Sequence, residues 1–213
     1  MLIDSKIMKI LIPMAALFLS NTGAEAGVGN YLNVAILRLP ARYLADVPIE
    51  NRKALLESLS SDPKDNRLDY SNGWIHFFSD GGDHEDPTGR PTSMFWVKLL
   101  PRKDESPLVF VHMSKPFADG AVPGNNQTFV LEESSDGWKD VTKNVIPKEV
   151  DMTAHFRPRR KIDEIEVAPF EKIQRQDGGG SAYNFGERKI DLVWKGSAFE
   201  VRKASSSKLS GND

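Results

Sequence analysis

Between Glu132 and Asp140 the chain reads EESSDGWKD, with oxygen-bearing side chains at every second position ahead of a glycine. Glu132, Ser134, Asp136 and Asp140 occupy the first, third, fifth and ninth places of a short calcium loop, and Gly137 the sixth, where such a loop turns sharply. Oxygen donors on alternate residues of a tight loop can converge on one hard cation. Here the set is incomplete: a serine replaces a carboxylate, the first ligand is Glu, and the twelfth place, normally a bidentate Glu, is Lys143. The other reading is a Ser-Asp-Gly hairpin turn in which Trp138 enters the core and Lys139 faces water, and the missing ligands favour it.

A second constellation, HFRPRRKIDEIEV, gathers Arg157, Arg159, Arg160 and Lys161 just before Asp163, Glu164 and Glu166. Clustered guanidinium groups bind carboxylates, phosphates or sulfated sugars bidentately, which makes these four residues candidates for an anionic ligand. The neighbouring acids can instead satisfy them internally across a strand pair, and the near cancellation of charge favours that reading. The run Asp80 to Asp86 holds four carboxylates and His84 in a Gly-rich loop, a composition suited to calcium or magnesium. Its ligands are consecutive and unspaced, as in solvated loops.

Other chemistry finds little support. The four histidines, His76, His84, His112 and His155, form no HExxH or other close pair, so a zinc hydrolase would need ligands from distant strands. His76 and His112 sit inside apolar strand runs and read as partly buried, hydrogen-bonded sheet residues. No serine lies in a GxSxG elbow, and the SxxK match at Ser205 to Lys208 falls in the tail. The three glycines at 178 to 180 are followed by no P-loop Lys-Ser/Thr and open no helical pattern. No cofactor is expected.

The chain's beginning carries the marks of export. Lys6 and Lys9 precede a short apolar run from Ile10 to Leu19, and Ala24-Glu25-Ala26 is a small-x-small site for a signal peptidase. Residues 1–26 are therefore expected to be a signal peptide, with the mature chain beginning at Gly27 in the periplasm or outside the cell. No later run approaches the roughly 20 residues of a membrane span. Cysteine is absent, which excludes disulfides, thiolate metal sites and a cysteine nucleophile. The formal charge of −2 gives no indication of a nucleic-acid partner.

These residues must be positioned by a core, and a mature chain of just under about 200 residues can build one. Leu32 to Leu39 reads as a first strand ended by Pro40. Ile49, Leu55, Leu56 and Leu59 recur at helical spacing after Pro48 and predict one helix over residues 49–60. From Tyr70 onward, short β-branched and aromatic runs alternate with turns dense in Gly, Pro, Asp and Asn: Trp74 to Phe78, Met94 to Leu100, Leu108 to Met113, Thr128 to Leu131, Ile162 to Val167, Ile190 to Trp194 and Phe199 to Val201. The expectation is a mainly β domain over residues 27–203, an antiparallel sandwich or partial barrel with one N-terminal helix, followed by a disordered tail at 204–213. Lys195 to Ala198 marks a hairpin that sets Trp194 beside Phe199, and the core is expected to contain Trp74, Trp96, Trp138 and Trp194.

Trp138-Lys-Asp140-Val141-Thr142, the nearby Pro147, and Asp191-Leu192-Val193-Trp194 followed by Phe199 resemble motifs of uncharacterised exported bacterial β-rich proteins. The resemblance is confined to the C-terminal half; it implies secretion and a β fold and assigns no catalytic residue. Two functions are in view. One is a non-catalytic binding module of the envelope or extracellular space, with a protein or an envelope glycan as partner, in keeping with many loops on a β scaffold. The other is a hydrolase of an envelope or extracellular polymer that draws two carboxylates from separate strands and so leaves no local motif.

Overall fold

The computed structural model describes residues 24–44, 47–60, 68–79, 93–103, 105–114, 126–159, 161, 163–174, 181–185 and 189–203. Residues 1–23 of the expected signal peptide, the acidic run 80–86, Arg160, the glycines at 178 to 180, and the tail at 204–213 lie outside the described residues.

The fold is mainly β and its strand pairs are antiparallel. Helices α1 (Ala24–Arg38) and α2 (Ile49–Ser60) come first, with a turn of 3-10 helix at Ala41–Leu44 between them. The predicted strand at Leu32 to Leu39 is thus helical. Its contiguous apolar run carries no clear period of two, whereas Tyr31, Leu32, Ala35, Ile36 and Leu39 form one buried helical stripe. The predicted helix over 49–60 is present as α2. Its apolar face is narrower than its sequence suggests: Leu56 is buried, Leu55 is half-buried and Ile49 is 48% exposed. Helix α2 is fastened to α1 by a polar clasp. The buried Arg52 donates from Nε to Val47 O at 2.8 Å and from Nη1 to Ile36 O at 3.1 Å and Leu39 O at 2.5 Å. It thereby supplies donors and positive charge at the C-terminal end of α1, where carbonyls lack partners. Among the described residues no helix is long and apolar enough to cross a membrane.

A six-stranded meander follows: β1 (Leu68–Asp69), β2 (Trp74–Ser79), β3 (Ser93–Arg102), β4 (Glu105–Ser114), β5 (Gln127–Ser134) and β6 (Gly137–Asp140), in that spatial order. After a single turn of helix α3 (Thr142–Val145), β7 (His155–Pro158) and β8 (Glu164–Ala168) join β11 (Ile190–Trp194) and β12 (Phe199–Lys203) in a second sheet ordered β12-β11-β8-β7. Between β8 and β11, β9 (Phe170–Gln174) and β10 (Ser181–Phe185) pair as a separate ribbon.

Strand alternation divides the interior into two cores that share the meander. Phe95, Val97 and Leu99 of β3, with Val109, Val111 and Met113 of β4, face the helices. Leu100, Leu108, Phe110 and Val130 face the second sheet, meeting Phe156, Ile165, Val167, Leu192, Trp194 and Phe199. The predicted hairpin has the expected register, with Trp194 opposite Phe199, ring centroids 5.1 Å apart edge to face, and Gly196 at φ 90° in the turn. Trp194 Nε1 donates to Pro101 O at 2.6 Å and joins the two sheets. Trp74, Trp96 and Trp194 are buried, while Trp138 is half-buried against the helices and donates to Arg38 O at 3.2 Å.

Candidate functional site

A cleft of about 940 Å³ opens where the aromatic face of β2 and β3 meets the charged face of the second sheet. Trp74 and His76 alternate with Ile75, whose side chain belongs to the helical core, so both point the other way, as does Trp96 of β3. The indoles of Trp74 and Trp96 lie 5.6 Å apart at 46°, and the His76 ring stacks on Trp96 at 3.6 Å with an interplanar angle of 2°. Neither indole N–H has a hydrogen-bond partner among the described residues.

The opposite wall is a row of charges set by register. Arg157 of β7 stands opposite Glu166 of β8, Glu166 opposite Asp191 of β11, and Asp191 opposite Arg202 of β12. Two carboxylates directly opposite each other in an antiparallel pair repel. Arg159 offsets that repulsion by reaching Glu166 Oε2 at 2.6 Å and Asp191 Oδ1 at 3.2 Å from one nitrogen. The Asp191 contact is an ion pair without hydrogen-bond geometry. Arg202 contacts Glu164 at 2.9 Å and Asp191 at 3.4 Å, Lys161 reaches Glu164 at 3.2 Å, and Lys189 reaches Glu166 at 3.5 Å. Burial pushes the Glu164 carboxyl up, yet hydrogen bonds from Arg202 and Lys161 outweigh it and hold the group below the ordinary range. The hydrogen bonds that Arg202 donates to Glu164 and Asp191 raise its own pKa in turn.

Arg157 is different. It is exposed, lines the cleft, and makes no ion pair among the described residues, because the acid opposite it is already held by Arg159 and Lys189. Beside it, His155 forms part of the wall, with His112 buried behind it. Phe156 N–H donates to His112 Nε2 at 3.3 Å, which places the His112 proton on Nδ1, 2.8 Å from Thr128 Oγ1. His155 Nδ1, 3.3 Å from the same Nε2, must then be a donor. Burial, then the neighbouring His155, lowers His112 well below its ordinary value; burial, then Arg157, lowers His155 to about 4.

The strand segment carrying the cations is anchored from beneath. Lys98, fully buried on β3, donates to Arg159 O at 3.2 Å and Lys161 O at 2.8 Å, and burial lowers it to about 8 despite Asp163, Asp69 and Glu164 nearby.

Of the four predicted anion-binding residues, Arg157, Arg159 and Lys161 meet in this cleft, and Arg160 lies outside the described residues. The four candidate calcium ligands, for which a hairpin turn is the favoured reading, do not meet. They lie on the β5–β6 hairpin, where Glu132 pairs with Lys139, Ser134 with Gly137, and Leu131 with Asp140, so Glu132 and Ser134 project to one face and Asp140 to the other. Glu132 accepts from Arg102 at 2.6 Å, Ser134 Oγ donates to Gly137 O at 3.0 Å, Asp136 is exposed in the turn, and Asp140 Oδ1 accepts from Thr142 N and Oγ1 at 2.9 and 2.5 Å. Among the described residues no three histidine or acidic side chains are grouped as metal ligands.

Sequence reasoning placed Trp74 and Trp96 in the core without seeing that they border a cleft, and it did not single out His155, Lys189, Asp191 or Arg202. The signal available was the alternating charge of Glu164 and Glu166, and the lone charge of Asp191 between Ile190 and Leu192, on strands whose other face is apolar. No protein family, curated protein or solved structure matches the chain.

Proposed function

We propose that this protein is an exported, non-catalytic binding module of the bacterial envelope or extracellular space, and that the cleft between the two sheets is its binding site. The observation that carries this reading is the state of the cleft's charges: Glu164, Glu166 and Asp191 are each held by at least two cations, while Arg157 makes no ion pair among the described residues. A polymer hydrolase needs one carboxyl with a raised pKa to protonate the leaving group. At Glu164 the clamp favours the ionised form and makes a poor proton donor. Aromatic rings with a few convergent polar groups in a cleft of this size are the ordinary make-up of a binding site. Full-length protein, purified and mixed with a panel of envelope and extracellular polymers, should retain at least one of them without releasing reducing ends or smaller products. Release of products that stops in Glu166→Gln would overturn the reading in favour of hydrolysis, and retention of none would remove binding.

A further inference from the structure

We propose that the ligand of this cleft is a saccharide bearing a carboxylate, with Arg157 as the residue that takes the carboxylate and the Trp74–Trp96 wall as the surface that takes the sugar. The inference rests on the binding reading above and names its substrate class. Five cations and three acids line the cleft, leaving an excess of two positive charges. Four of those cations are paired with the acids, and among the described residues Arg157 is the one cation of the cleft without an ion pair. A planar guanidinium fork matches a planar carboxylate in two parallel hydrogen bonds. A phosphate fits less well, because a doubly charged group would approach Glu164, Glu166 and Asp191 with one cation free of an ion pair to offset it; a sulfate monoester carries a single charge and matches the same fork, and the sulfated probe below distinguishes it from a carboxylate.

The rest of the wall calls for hydroxyl groups. The Trp74 and Trp96 rings line the cleft, and their N–H groups are buried with no acceptor among the described residues. Sugar hydroxyls supply donors to the clamped carboxylates, and the apolar face of a sugar ring can pack on the indole rings that line the cleft. His155, beside Arg157 and shifted down to about 4, stays neutral near pH 7 and adds no second cation that would draw a more highly charged ligand. The volume lies at the upper end of the range of about 300–1,000 Å³ for small-ligand sites, enough for more than one ring.

The test uses full-length protein in calorimetric titrations at fixed salt with four probes: an oligogalacturonide, its methyl ester, a sulfated oligosaccharide of equal length, and inorganic phosphate. The oligogalacturonide should bind, and its methyl ester should bind at least roughly tenfold more weakly, as the loss of a charge-assisted pair demands. Arg157→Gln should reproduce that loss with the acid probe and leave the melting temperature unchanged, since the side chain is exposed and has no ion-pair partner among the described residues. Arg157→Lys should recover only part of it. Equal binding of acid and ester, tighter binding of the sulfated probe or of phosphate, or undiminished binding in Arg157→Gln would each overturn the assignment. A neutral polymer retained in the panel above would do so too while leaving the binding-module reading intact, whereas cleavage of the oligogalacturonide would remove both.

Discussion

Acidification from pH 7 toward pH 4 should destabilise this protein through two buried imidazoles. His112 is wholly buried and His155 is 8% exposed; both are neutral when folded because burial disfavours the imidazolium and each faces a further repulsive neighbour, His155 for His112 and Arg157 for His155. In the unfolded chain a histidine takes up its proton near pH 6.5. Between about 6.5 and 4 the unfolded state therefore holds protons that the folded state refuses, and stability falls as the pH falls. For His155 alone, a shift from 6.5 to about 4, at about 1.4 kcal/mol per pH unit, amounts to about 3 kcal/mol. His112 acts in the same direction, so where both refuse a proton the slope approaches about 2.7 kcal/mol per pH unit. That is large beside a total stability of about 5–15 kcal/mol. Urea unfolding at half-unit steps from pH 7 to pH 4 should show the midpoint falling by about 1 M or more across this window. His155→Gln keeps a donor for His112 Nε2 and removes one titrating ring, so the slope near pH 5 should halve. The Glu164 carboxylate, held below its ordinary value of 4.5, loses its stabilising contribution only as pH drops further, which separates the two effects. A midpoint that stays level from pH 6.5 to 4.5, or a slope undiminished in His155→Gln, would refute the buried pair as the cause.

Trp194→Ala should cost about 3–5 kcal/mol in chemical denaturation, since it removes a buried ring, its edge contact with Phe199 and the bond to Pro101; an unchanged melting temperature would undo the inter-sheet packing. Asp140→Ala should cost about 1 kcal/mol through loss of the two bonds to Thr142, equally with and without millimolar calcium. A calcium-dependent rise in melting temperature that disappears in Asp136→Ala would instead make the β5–β6 turn an ion site. Arg52→Met should cost about 3 kcal/mol or more by leaving three buried or partly buried carbonyls without their donor, and hydrogen exchange should locate the loss at the C-terminal end of α1; uniform exchange throughout α1 and α2 would show that the clasp is dispensable.

The β-rich body was legible because its strands alternate. In β3, Phe95, Val97 and Leu99 carry one face and Trp96, Lys98 and Leu100 the other, and both faces are covered. The hairpin at Lys195 to Ala198 was legible because its turn needs a residue at positive φ and Gly196 stands there. Helix α1 was misread for a physical reason: Leu32 to Leu39 is apolar enough to suit a buried strand or a buried helix, and what decides between them is the meander face it covers and the distant Arg52 that supplies its C-terminal donors. Strand β7 was hidden by its charges, since HFRP presents Arg157 outward while Phe156 is fully buried.

The cleft was half legible, and the missing half concerns where charges cancel. Along the chain, Arg157 to Lys161 are followed by the acids Asp163 to Glu166, which argues for a closed, self-satisfied cluster. In space the register sets Glu166 against Asp191, more than twenty residues further on, and that unfavourable meeting of like charges draws Arg159 across both. Lys189 adds to Glu166, and Arg202 takes Glu164 and Asp191 from the other side. Glu164 and Glu166 are thus claimed by Lys161 and Arg159 of the same run together with Arg202 and Lys189 from later in the chain, and Arg157 is left over. Lys98 holds the carbonyls of Arg159 and Lys161 from below and fixes their segment against the meander. An open guanidinium beside two tryptophans is therefore a product of strand pairing, and no window of the sequence short enough to read as a motif contains it.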